Sequence, residues 1–349
     1  MDQLRRTSVI LMVLLAIVSV FNMSEASAAP ASSPERQAES MDELYEKAKK
    51  EGGRLVLYIA LSPRSEEVVV PAFKKRFSAI QINHIDATSD KLVARALAEA
   101  RGGRVLGDVF GGTPGYLAQM REQNLLAPLG IPEAAAYPAN LKGTDWVATD
   151  TQYFIAGWNT SLIKKGDEPK QFEDFADPKW KGKLIAEPRD FQLLMGLAKR
   201  KYNSDEKALE LLKKIAANGV EFHKGHSQLT ELLTGGQAKL CVTCFAHQFP
   251  GRMKKGAPVN FLLSEGIGSM NATAIFKDAP HPNAALLFAR WAASEEGQRV
   301  YAEGGRAPAH PKVKPIDPIR PERLYPLGVD DIKEYPKYEK IWKEVFKLR

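Results

Sequence analysis

Leu55-Val-Leu-Tyr-Ile-Ala-Leu-Ser-Pro63 decides the fold class of this chain. Leu55 to Ala60 is a continuous apolar run, the pattern of a strand buried on both faces. Ser62 then offers an N-cap oxygen and Pro63 suits a first helical turn, so a helix begins at once. The unit recurs downstream. Ile80 to Ile85 reads as a second strand, and Thr88-Ser89-Asp90 opens a helix with Leu92, Val93, Ala96, Leu97 and Ala100 on one face. Asp108 to Phe110 reads as a third strand that runs through Gly111-Gly112-Thr113 into another helix. The order βαβαβα predicts an α/β fold with a mostly parallel sheet flanked by helices. Ligands on such sheets gather at the carboxyl ends of the strands. Ser62, Arg64, Ser65, Thr88, Ser89, Gly112 and Thr113 are therefore the candidate binding residues of this half. Helix starts with unpaired N–H groups suit a carboxylate, phosphate or sulfonate.

Trp146 to Thr160 reads as an extended crossing segment, and a second α/β unit follows it. Lys183 to Ala186 is a strand leading into Glu187-Pro-Arg-Asp190. Ser204 caps an amphipathic helix that ends at Asn218-Gly219, and Ser227 caps a shorter one ending at Gly235-Gly236. Lys239 to Phe245 is the next strand, with Ala246-His-Gln248 at its exit. Arg189, Asp190, His226, Ser227, His247 and Gln248 are the candidates here, joined by Tyr153 and Asn271 from the crossing segments. Val259 to Lys277 is the return crossing, and the prolines between Pro308 and Pro326 predict a tail that wraps the surface without regular elements. The expected division is 41–147 with 264–322 as one lobe and 148–263 with 323–349 as the other.

The N-terminus reads as an export signal. Arg5-Arg6 is followed by an apolar run from Val9 to Phe21 and by Ala26-Ser-Ala28, so 1–28 is expected to be a cleavable signal peptide and 29–40 a disordered leader. No cysteine near the cut would carry a lipid. Net charge is +7, with both signs interspersed, which describes a basic surface rather than a nucleic-acid stripe. Cys241 and Cys244 are the only cysteines. In a strand, residues three apart lie about 10 Å apart, beyond the reach of a disulfide, so unlinked thiols are expected.

Several short matches, in order, resemble one family. They are Tyr45-Glu-Lys-Ala-Lys-Lys-Glu-Gly52, Val70-Pro-Ala-Phe73, Asp108-Val-Phe110, Trp158-Asn-Thr160 and Asp177-Pro-Lys-Trp-Lys-Gly182. Gly256-Ala-Pro-Val259, Pro282-Asn-Ala-Ala285 and Ser294-Glu-Glu-Gly-Gln298 continue the series. Together they resemble the extracellular solute-binding proteins of family 1, the substrate-binding components of ABC importers, over Leu44 to Lys312. The resemblance implies two α/β lobes of the type II periplasmic-binding-protein fold, joined by two crossing strands and closing on a ligand by a hinge. It also implies a periplasmic location, an inner-membrane ABC permease as partner, and a monomer with no cofactor and no catalytic residue.

Iron-binding members of the family use adjacent tyrosines after the strand that corresponds to Lys239–Phe245, where this chain has Phe245-Ala-His-Gln-Phe249. Ferric iron prefers hard oxygen donors, so a small organic anion is the better reading, with ferric or another metal ion the alternative. Arg189 or Arg64 can grip such an anion with paired hydrogen bonds. Asp190 either orients Arg189 or recognises a ligand amine. A second alternative is a periplasmic thiol-redox protein using Cys241 and Cys244. No nucleophile elbow, H-E-x-x-H or phosphate loop supports an enzyme.

Overall fold

The computed structural model describes residues 39–348. The expected signal peptide lies outside them, as does the leader apart from Glu39 and Ser40. Ser40 caps the helix Met41–Lys50: its hydroxyl accepts from the Glu43 N–H, and its own N–H donates back to the Glu43 carboxylate at 2.8 Å.

The strands are β1 (Arg54–Ile59), β2 (Gln81–His84), β3 (Val109–Gly112), β4 (Val147–Asn159), β5 (Leu184–Ala186) and β6 (Val220–Phe222). They continue with β7 (Leu240–Phe245), β8 (Val259–Phe261), β9 (Glu265–Ile275), β10 (Ala307–Pro308) and β11 (Arg323–Pro326). Their order is β2-β1-β3-β9-β4-β7-β5-β6. β1 is parallel to β2 and β3, and β5 is parallel to β6 and β7. β4 and β9 run antiparallel to each other and to β7 and β3. Two parallel fans are thus joined through two long antiparallel strands, which occupy the two expected crossing segments.

Each fan carries its own apolar core. In the first, Phe73 of the helix Pro63–Arg76 meets Phe288 and Trp291 edge-on, each at 5.2 Å between ring centroids. This geometry favours the aromatic quadrupoles beyond simple burial. In the second, Phe154, Phe172, Leu212 and Trp342 cluster, and the Trp342 indole N–H donates to the Pro188 carbonyl at 2.9 Å. That bond ties the last helix, Tyr335–Phe346, beneath the loop after β5.

Three expectations are corrected. First, Cys241 and Cys244 form a disulfide although β7 is a strand as expected. Ile155 faces Cys244 while Gly157 faces Cys241, so three steps of β7 oppose two of β4. The extra residue is a bulge that bends β7 and leaves the two Cα atoms 6.3 Å apart. Second, Ser227 is not a cap; the helix is His226–Thr234 and Gly225 precedes it with φ 98°. Third, the tail is not free of regular structure, because β10 pairs with β4 and β11 with β9. Pro308 and Pro326 sit at strand ends, where a missing N–H costs no interior hydrogen bond.

Candidate ligand site

The carboxyl ends of β1 and β3 open onto a narrow cavity lined by Leu61, Ser89, Gly112, Asp150, Asn271 and Arg306, among others. Close backbone approach shapes it: a Cβ on Gly111 would lie 2.7 Å from the Ile59 side chain. Ser62 caps its helix, and its hydroxyl lies 2.8 Å from that of Ser65. Ser65 Oγ in turn donates to the Gly304 carbonyl at 3.2 Å and accepts from Arg306 Nε at 3.0 Å. Arg306 Nη1 reaches Asp150 Oδ1 at 3.4 Å. Asp150 stands directly opposite Asn271 in the β4–β9 ladder, and Asn271 Nδ2 donates to its two oxygens at 3.1 and 3.3 Å. The register slips between Ala148 and Asp150, so Thr149 is an extra residue and both Thr149 and Asp150 line the cavity. Such a bulge re-aims side chains at a site. Thr88 and Thr113 start their helices without a side-chain cap bond and are half-buried.

The second fan contributes a stacked array. Asp190 Oδ2 lies 2.9 Å from His226 Nε2. The His226 ring stacks on Phe245 at 3.6 Å, and Phe245 stacks on His247 at 5.5 Å. Gln248 Nε2 donates to Ser227 Oγ at 3.4 Å, and Arg252 Nη1 donates to Gln248 Oε1 at 3.0 Å. Burial raises the Asp190 carboxyl above its usual range, against the opposing pull of the His226 charge. His247 is buried, and that burial pushes its basicity well below the ordinary imidazole value; Arg306, His226, Arg252 and Arg64 push the same way. Arg252 of the second fan, through Gln248, and Arg64 of the first, against the helix that holds Gly251, thus bring guanidinium groups near one imidazole. An unfolded histidine takes a proton near pH 6.5 whereas this one resists, so stability falls as pH drops below about 6.5, by up to ~1.4 kcal/mol per unit. Urea melts at pH 7.5 and 5.5 should show a shallower loss for His247→Gln than for the parent protein.

The two fans touch around this array. A Cβ on Gly251 would lie 3.2 Å from Arg64 Nη1, which places the Arg64 guanidinium against the helix Pro250–Lys254. Arg64 also pairs with Asp317 at 3.4 Å, and Lys254 holds the other oxygen of that carboxylate at 2.5 Å. Arg189 pairs with Glu187 beside it and with Asp90 of the opposite fan.

The profile of the family described as "Bacterial extracellular solute-binding protein" matches residues 69–337. The chain belongs to this family. A curated relative is the major ferric iron-binding protein of Neisseria meningitidis, 26% identical over 266 residues, 70% of this chain and 77% of that one. Among solved structures, the periplasmic binding protein AfuA from Actinobacillus pleuropneumoniae, with exogenous fructose-6-phosphate bound, superposes with TM-score 0.74 and 22% identity, over 85% of this chain and 100% of the other. Iron-bound HitA from Pseudomonas aeruginosa superposes with TM-score 0.71 and 19% identity, over 84% and 99%. The two-lobed fold is thus the common property; the ligands bound in these two neighbours differ.

In this solute-binding protein, Ser62, Arg64, Ser65, Ser89, Gly112 and Asn271 gather on the first fan, and Asp190, His226, Ser227, His247 and Gln248 on the second. Tyr153 is buried in a core cluster that includes Ala246 and Ala307, its hydroxyl 3.0 Å from that of Thr151. Asp190 does not orient Arg189; it bonds His226 instead. Arg306, Asp150, Arg252 and Phe245 were not singled out from sequence. Asp150 had a readable signal, the polar run Thr149-Asp-Thr-Gln152 inside a strand otherwise buried and apolar.

Proposed function

We propose that this protein is the periplasmic receptor of an ABC importer and that it closes its two fans around a small organic anion. The observation that carries this reading is the gathering of three guanidinium groups around the buried His247. Arg252 reaches Gln248, whose Nε2 lies 3.4 Å from His247 Nε2, and Arg64 lies against both the helix Pro250–Lys254 and Gly305, the neighbour of Arg306. Cations gathered from two separable halves attract an anion and are best screened by one that bridges them. Arg306 is nearly buried, and its bonds to Ser65 and Asp150 use Nε and Nη1, so Nη2 takes part in neither. A phosphate, phosphonate or carboxylate suits that donor. The binding of a phosphate ester by AfuA is consistent with this ligand class on this fold.

A ferric site would call for phenolate or carboxylate oxygens, and the exit of β7 offers Phe245, His247, Gln248 and Phe249. A thiol-redox role finds little support either, since Cys241 and Cys244 are both fully buried and a reactive thiol needs access. Delivery to an inner-membrane permease by a monomeric carrier completes the proposal. Calorimetry with phosphate esters, phosphonates and carboxylates, beside ferric citrate, tests it. Binding of an organic anion that weakens by about tenfold in Arg252→Ala is the expected result. Tight binding of ferric iron alone would overturn it.

A further inference from the structure

The cavity at the ends of β1 and β3 holds a second charge that an anion alone does not explain. Asp150 is 1% exposed, yet its contacts are long: 3.1 and 3.3 Å from Asn271, 3.2 Å from Thr149 and 3.4 Å from Arg306. Two other arginine–carboxylate pairs in the protein are tighter. Arg290 meets Glu133 at 2.8 to 3.0 Å, and Arg200 meets Asp331 at 2.7 and 2.9 Å. Burial raises the Asp150 carboxyl above its usual range, and Arg306 supplies the opposing positive charge. On the same cavity wall, Thr273 Oγ1 is buried with no hydrogen-bond partner. An orphaned buried hydroxyl calls for an explanation, and a guest is one.

We propose that this cavity receives a cationic amine, so that the solute is a zwitterion whose ammonium meets Asp150, Asn271 Oδ1 and Thr273 Oγ1 while its anionic end meets Arg306. This deepens the anion reading above and rests on it. Electrostatics decides between an ammonium and a neutral hydroxyl. Once a ligand anion pairs with Arg306, Asp150 loses much of its compensation and faces a like charge across the guanidinium. A neutral hydroxyl leaves that repulsion in place; an ammonium cancels it and brings three donors to three acceptors. The opposite charges that sequence reading sought at Arg189 and Asp190 stand instead at Arg306 and Asp150.

The experiment is a thermal-shift and calorimetric screen of amine-bearing phosphates, phosphonates and carboxylates, each matched with its amine-free analogue, for example phosphoethanolamine with ethyl phosphate. Amine-bearing members are expected to bind about 30-fold tighter than their partners, because loss of a charged hydrogen bond to a buried group carries that cost. In Asp150→Asn the gap should close to within about threefold. Circular dichroism establishes that this variant is folded. Thr273→Val, which keeps the carboxylate, should weaken amine-bearing members several-fold and leave amine-free ones unchanged. Equal binding of both members of each pair would overturn the zwitterion inference and leave the anion reading standing. Binding of ferric iron alone, or of nothing in the screen, would remove both.

Discussion

Replacing Arg306 with alanine is expected to lower folding stability by about 4 kcal/mol, because it leaves a carboxylate buried without its cation. Asp150 is 1% exposed and Arg306 3% exposed, so water cannot take over the missing role. Ser65 loses its Nε partner as well, although its hydroxyl keeps the Gly304 carbonyl. The measurement is urea unfolding at pH 7.5, and it needs a double-mutant cycle. Asp150→Asn alone keeps the shape and removes the charge, so its cost should be smaller. In the double variant the arginine substitution should cost less than it does alone, since no buried anion is then stranded. A coupling energy near zero would mean that the 3.4 Å contact between these two groups carries no interaction.

The same pair shows where sequence reading reaches and where it stops. The strand Leu55 to Ala60 with its Ser62-Pro63 cap is local information, and β1 with the following helix stands where that pattern places it. Both crossing strands follow from run length and texture, which also belong to neighbouring residues. Arg306 and Asp150 are 156 positions apart, and nothing in either neighbourhood names the other. Two bulges add what periodicity cannot supply. The one at Thr149 turns two consecutive residues toward the cavity, and the one in β7 brings Cys241 to Cys244. A period of two assumes one residue on each strand per step, so an extra residue breaks the inference there. The hydroxyl-rich loops are legible because helix starts have a signature; Arg252 is not, because it lies inside a short helix whose position against β8 is set by packing.

Arg189→Ala and Asp90→Ala are expected to separate folding from closure, although both break the same bridge between the fans. Glu187 is 1% exposed and takes Arg189 as its cation, with Nε at 2.7 Å. Removing the arginine strands that carboxylate, at a cost of about 3 kcal/mol, the lower end for a broken buried pair. The backbone N–H of residue 189 still donates to Glu187 at 2.6 Å and softens the loss. Asp90 is different: its side chain is 39% exposed, so water solvates both it and the freed arginine nitrogen. Asp90→Ala should therefore leave the unfolding midpoint nearly unchanged. It should weaken closure by about 0.5 kcal/mol, roughly a twofold shift toward open molecules. Small-angle scattering of the ligand-free protein reads that shift as a larger radius of gyration. Acid should mimic it. The Asp90 carboxyl sits below its usual range, because a Thr88 hydrogen bond and the Arg189 charge outweigh the effect of burial. A depressed carboxyl contributes fully above its unfolded value of about 4 and is lost only as pH falls through its folded one. Closure should thus persist to near pH 4 and weaken below it in the parent protein, with no such step in Asp90→Ala. Equal losses of stability in the two variants would show that Asp90, rather than Glu187, is the carboxylate Arg189 is needed to hold.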